Sequence, residues 1–130
     1  MLNEQAILQV VMSEENAGDF PKVIQGFKEL GVTKYQFLVQ KGVYVFWDEE
    51  ENMVEATLNG VPMPVSTEIS AEKLRVAIKE AQAGRIDFEQ FITLAGLAGI
   101  GLWEADLAAM KVTYIDNAGN DLVIEPIPSI

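Results

Sequence analysis

Apolar residues fall along this chain in two alternating periods. Ile7, Leu8 and Val11, with Val10 and Met12 beside them, keep helical spacing through a first segment, Asn3 to Asn16. Ala17-Gly18 is expected to stop it. Phe20, Val23, Ile24, Phe27 and Leu30 then form one stripe along a second helix. Asp19 stands where an N-cap carboxylate accepts from the first free backbone donors. Gly31 stands where a helix end needs positive φ. Val32 to Gln40 and Lys41 to Trp47 read as two strands with Gly42 near the turn. Asp48 to Asn52 (DEEEN) reads as a turn, and Met53 to Leu58 as a third strand closed by Asn59-Gly60, a hairpin-type pair. Val61 to Glu68, with Pro62 and Pro64, reads as an extended linker and a candidate edge strand.

A second round follows. Ser70 is expected to cap a helix that runs to about Gln82, where Ala83-Gly84 ends it. Asp87 caps the next helix, with Gln90 at the capping-box position. Phe88, Phe91, Ile92, Ala95 and Ala98 repeat the apolar stripe, and Gly99 ends it. Ile100 to Leu107, Met110 to Ile115 and Asp121 to Ile127 read as strands, with Asp116 to Asn120 a turn.

The two rounds match residue by residue. Asp19 meets Asp87, Phe20 meets Phe88, Ile24 meets Ile92 and Gly31 meets Gly99. Asp48 meets Asp116, and Asn52 meets Asn120. The matched positions are caps, core anchors, a helix stop and a turn. They predict an internal duplication: two αα-βββ repeats, about 3–60 and about 69–128, within one domain spanning 1–130. The predicted class is α+β, a mostly antiparallel sheet with helices packed on one face.

Composition narrows the chemistry. The chain has 130 residues and is 49% apolar, enough for a core without staples. It contains neither cysteine nor histidine. Disulfides, thiolates, imidazole bases and imidazole metal sites are therefore excluded. The first residues lack a basic signal-peptide region, and no apolar run approaches the ~20 residues needed to span a bilayer. A cytoplasmic location is expected. Twenty acidic residues against nine basic ones give a formal charge of −11. Nucleic acid and anionic membrane are poor partners for such a surface, because phosphate contacts need Lys or Arg. The acidity suits solubility, with an acidic nucleic-acid mimic as an alternative.

Some of these residues carry a resemblance. The first half has Asp19-Phe20-Pro21 opening a helix, Gly31-Val32, Tyr35, Tyr44 and the Asp48 turn; the second half has Ala83 to Phe88, Gly101-Leu102-Trp103 and Tyr114, ending in Val123 to Pro128. In this ordered set the chain resembles the YbcV-like bacterial domain of unknown function, number 1398 in the DUF series, over roughly residues 5–128. Some members are labelled phage envelope protein. The resemblance implies no reaction that transfers. It implies histidines where this chain has Gln36 and Pro126, so a histidine-dependent site in relatives would be missing here.

Candidate sites follow from residue types. The acidic turns at Asp48 and Asp116 offer oxygens to a cation but lack the closed ligand set calcium requires, so no metal is expected. No cofactor is expected either. Tyr35, Trp47 and Trp103 are the large amphipathic aromatics and are candidates for a ligand cleft or an interface. Glu104 and Asp106, at i and i+2, are the candidate catalytic carboxylates. Leu94 to Gly101 (LAGLAGIG) lacks a phosphate-loop pattern and reads as a helix made narrow for close contact. Ala95 and Ala98 stand where the first half has Phe27 and Leu30, so something must fill that space. These observations predict a non-enzymatic binding or interaction module, self-associating as a homodimer, with an unknown protein or small-molecule partner. A carboxylate-dependent enzyme is the alternative.

Overall fold

A computed structural model of the chain describes residues 3–13 and 17–127. Helix α1 (Glu4–Met12) is followed by a single 3-10 turn (Ala17–Asp19), helix α2 (Phe20–Glu29), and strands β1 (Val32–Leu38), β2 (Val43–Asp48) and β3 (Met53–Ala56). A long connection leads to α3 (Ala71–Gln82), α4 (Phe88–Leu97), β4 (Ile100–Asp106), β5 (Lys111–Asp116) and β6 (Asp121–Pro126). The order αα-βββ therefore runs twice. The strands form one sheet in the order β3-β2-β1-β4-β5-β6, and every neighbouring pair is antiparallel.

The halves meet at β1 and β4. Gln36 lies opposite Glu104, its counterpart in the other half, and the amide Nε2 donates to Glu104 Oε1 at 2.9 Å. Tyr35 faces Ala105 and Phe37 faces Trp103 around that pair. The backbone extends the contact evenly: Val39 N–H donates to the Gly101 carbonyl, and Leu107 N–H to that of Thr33. A local two-fold axis runs between Gln36 and Glu104.

Strand side chains alternate between faces. The inner face carries Tyr35, Phe37, Tyr44, Phe46, Trp103 and Tyr114, all buried. Helices cover this face. Phe27 of α2 packs edge-on against Tyr35 and Phe46, while Phe88 and Phe91 of α4 pack edge-on against Trp103. Among the described residues, no helix covers the outer face. Across it run Val43, Leu38, Leu102 and Ile115 in one row, and Trp47, Lys34, Asp106 and Lys111 in another. Val45 on this face is buried by its strand neighbours without joining the core.

Local signals account for most element ends. Asn3 caps α1 and Ser70 caps α3 through side-chain oxygens. Asp87 and Gln90 complete a reciprocal capping box on α4. Gly31 and Gly99 take positive φ after α2 and α4. Asp19 departs from expectation. It sits at the N-cap position, but its φ and ψ of −80° and 3° continue the 3-10 turn, and its side chain makes no capping bond. Helix α1 also ends earlier than expected, at Met12, with Ser13 as its C-cap. Residues 14–16 lie outside the described region.

Two further corrections concern the connection between the halves. Asn59-Gly60 does not turn a hairpin, and residues 61–68 form no strand. Gly60 N–H donates to the Thr57 carbonyl in a local turn. The segment beyond it crosses to α4, where Ser66 and Ser70 donate N–H groups to the carbonyls of Gly96 and Ala98. Pro62 and Pro64, which lack N–H donors, favour such a path over a ladder. This crossing explains the narrow helix. A Cβ on Gly96 would lie 2.5 Å from the Pro64 carbonyl oxygen, and one on Gly99 2.7 Å from that of Glu68. The chain's own connection occupies part of the space that the small residues leave.

Candidate functional site

The residues singled out from sequence do not converge. Tyr35 and Trp103 lie in the core at 2% and 3% exposure, on neighbouring strands, each enclosed by other rings. Trp47 lies on the opposite face of the sheet. Its ring takes the Lys34 ammonium at 4.8 Å. The separation follows from strand alternation: Trp47 follows Phe46, which points inward. Glu104 and Asp106 share the outer face of β4, half-buried. Glu104 is tied to Gln36. One carboxylate oxygen of Asp106 accepts from the N–H groups of Ala108 and Ala109 and so organises the β4–β5 turn. Of the two places where histidine was implied, Gln36 is on the outer face and Pro126 is at the rim of an inner-face cavity.

The acidic turns are built alike. Asp48 Oδ1 accepts from the N–H groups of Glu50 and Asn52, both at 2.9 Å. Asp116 Oδ1 accepts from Ala118 and Asn120 at 2.9 and 3.0 Å. These are Asx turns, in which a carboxylate replaces a backbone acceptor. Among the described residues, no group of three or more acidic side chains is placed to hold a metal ion. The Asn52 side-chain amide, with the Asn52 and Glu50 N–H groups, holds the Asp48 carboxyl below its ordinary pKa against an opposing effect of burial. A depressed folded pKa gives stability that is present above the unfolded value of about 4 and lost as pH falls. Asp48→Asn is therefore expected to lower the urea midpoint at neutral pH, with the deficit shrinking as pH falls below about 4. A deficit constant with pH would show that the charge contributes nothing.

A different set of residues encloses an apolar site. A cavity of about 330 Å³ lies between the start of α2, the end of α3 and the inner face of β5 and β6. Phe20, Ile78, Phe91 and Val112 supply apolar walls. Its volume falls at the lower end of small-ligand pockets, roughly 300–1,000 Å³. Each wall has a local cause. Phe20 is the first residue of α2, Ile78 lies on the buried face of α3, and Val112 and Tyr114 are inward-facing residues of β5.

Two polar groups enter this apolar space. Tyr114 is only 7% exposed, and among the described residues its hydroxyl makes no hydrogen bond. Among the described residues, no fully buried side-chain oxygen lacks a partner, so this hydroxyl reaches open space at the cavity it lines. Burial, and then the negative charge of Glu125, push the phenol well above its ordinary pKa, so it remains a hydrogen-bond donor at neutral pH. Glu125 is half-buried on β6, lines the same cavity and, among the described residues, makes no side-chain hydrogen bond. The cavity thus offers a donor and an anionic acceptor against apolar walls.

Sequence reasoning paired Tyr114 with Phe46 but assigned neither it nor Glu125 to a site. The available signal was the added hydroxyl at a core position where the other half manages with phenylalanine. No curated protein matches the chain. The sequence profile described as Protein of unknown function (DUF1398) matches residues 8–126, nearly the whole length. The chain therefore belongs to the DUF1398 family of proteins of unknown function.

Proposed function

We propose that this protein is a binding module that holds a small molecule in the cavity lined by Phe20, Tyr114 and Glu125, without turning it over. The Tyr114 hydroxyl carries the reading. The matching position, Phe46 opposite Tyr35, has no hydroxyl. The hydroxyl opens into the cavity instead of bonding within the protein, and a typical hydrogen bond contributes about 0.5–1.5 kcal/mol net. A ligand that accepts from this hydroxyl would gain that bond. The ties of Glu104 to Gln36 and of Asp106 to its turn favour binding over a carboxylate-dependent enzyme.

Native mass spectrometry on freshly purified protein tests the reading. The expected result is a small-molecule excess mass that Tyr114→Phe reduces. Absence of any retained mass, together with no ligand-induced NMR shift at Ile78, Val112 or Tyr114 across a fragment library, would remove it.

Self-association is a second reading, supported by the outer face. Val43, Leu38, Leu102 and Ile115 form an apolar row across the four central strands, and no helix lies over it. The same spectrum reports subunit number. A dimer that Leu102→Glu dissociates is expected, and a monomer at all concentrations would sink this second reading.

A further inference from the structure

The cavity lies in the second half of the molecule, and its shape has a cause visible in the strands. In the first half, Tyr44 lies opposite Phe37 on β2, and Phe46 opposite Tyr35. In the second half, Val112 lies opposite Ala105 on β5, and Tyr114 opposite Trp103. Val112 therefore takes the place of Tyr44, and Tyr114 that of Phe46.

The Tyr44 ring fills its half. It stacks on Phe46, with centroids 5.4 Å apart and planes 9° apart. Its other neighbours include Phe88, the first residue of α4, at 6.1 Å and 26°. Its hydroxyl donates to Asn59 Oδ1 at 2.7 Å. In the second half, Phe20, the first residue of α2, takes the place of Phe88 and lines the cavity with Val112 and Tyr114. The platforms that hold a ring are kept on both sides, while valine removes the ring between them. Opposite Tyr44 the first half has Ala56 on β3, whereas opposite Val112 the second has Glu125 on β6, a carboxylate where its counterpart is a methyl group.

From this we infer that the cavity takes a small aromatic amine, its ring seated over Val112 between Tyr114 and Phe20 and its ammonium facing Glu125. This inference rests on the small-molecule reading and adds the ligand class. The preserved ring platforms select a planar π-system, which stacks on aromatic faces. Phe20, Phe91 and Tyr114 also present ring surface to a cation, with Phe91 edge-on to Tyr114 at 6.2 Å. Glu125 gives an ammonium an ion pair in addition to the hydrogen bond that an alcohol could also donate, and it repels the carboxylate of an acid. The formal charge of −11 draws cations to the protein.

The test is NMR titration of the full chain with benzylamine, benzyl alcohol, benzoate and cyclohexylmethylamine. Benzylamine is expected to bind at least about tenfold more tightly than each of the others, the weight of one charged hydrogen bond or a stacked ring. Glu125→Gln is expected to remove the preference for the amine over the alcohol, and this half-buried position leaves folding intact. Val112→Tyr restores the ring of the first half and is expected to abolish binding of all four. Equal binding of cyclohexylmethylamine, or stronger binding of benzoate, would overturn the ligand class while leaving the cavity a binding site. Unchanged benzylamine affinity in Glu125→Gln would do the same. Shifts at Val112 and Tyr114 with none of the four overturn this inference alone if other fragments bind there, and the small-molecule reading as well if nothing does.

Discussion

Replacing Gly42 with alanine is expected to destabilise the protein by about 3–5 kcal/mol, from overpacking plus a left-handed backbone penalty. Gly42 is buried with φ of 67°, in the turn between β1 and β2. The conformation is the smaller part of the cost. Met110, at the matching turn between β4 and β5, adopts φ of 55° with a full side chain. The larger part is contact. A Cβ on Gly42 would lie 2.3 Å from the backbone nitrogen of Pro62 and 2.5 Å from the carbonyl carbon of Val61. These are backbone atoms, so no rotamer change relieves the overlap. Withdrawal of the segment would strain the bond from Met63 N–H to the Val39 carbonyl. Urea unfolding of Gly42→Ala beside Met110→Gly separates the two effects. Met110→Gly is expected to change stability by no more than about 1 kcal/mol, the ordinary scale of glycine effects. A Gly42→Ala loss of that same size would mean that the connection does not press on this turn.

The second large effect is expected at Trp103. Trp103→Ala should cost about 3–5 kcal/mol, the range for removing a buried tryptophan. The indole stacks on Phe37 at 4.8 Å and meets Phe88, Phe91 and Tyr114 at 6.2, 5.3 and 5.9 Å. It joins α4 to the central strand pair and supports two residues that line the cavity. Trp47→Ala should cost about 1 kcal/mol or less, because an exposed cation–π contact contributes roughly 0.5–1 kcal/mol. The indole there meets the Lys34 ammonium on a face without helices. Equal losses at the two tryptophans would show that the outer face is covered in solution, which self-association predicts.

Much of this architecture was legible in the sequence because its signals are local. Helix stripes, the Asp87–Gln90 capping box, the glycine stops at Gly31 and Gly99, and the turn aspartates at Asp48 and Asp116 act within a few residues of themselves. Strand residues of β1 and β2 stand at positions matching those of β4 and β5, while a bulge after Tyr114 shifts β6 by one residue against β3. The local reading failed where a signal had two satisfactory outcomes. Asp19 has the right residue type for a cap, yet the backbone before α2 continues a 3-10 turn instead. Asn59-Gly60 has hairpin chemistry, yet the strand that would complete a hairpin is replaced by a proline-bearing crossing.

The aromatic site shows the limit more clearly. Tyr35, Trp47 and Trp103 share size and amphipathic character, and the sequence assigns them no common face. One residue of offset separates Trp47 from inward-facing Phe46, and this sends its ring to the other side of the sheet. The sequence comparison weighed the helices, Phe27 and Leu30 against Ala95 and Ala98, and the fold meets part of that difference with its own connection at Gly96 and Gly99. The strand comparison, Tyr44 against Val112 and Phe46 against Tyr114, was written in the same sequence. Its meaning depended on which helix ends cover those positions.

The sequence alone determined the element types, the repeated order and the exclusion of imidazole and thiol chemistry, because each depends on near neighbours or on residue types absent throughout. The tertiary structure decided where space is left over. A cavity is a difference between surfaces contributed by distant segments, here the start of α2, the end of α3 and the last two strands. No local pattern encodes that difference before those surfaces meet.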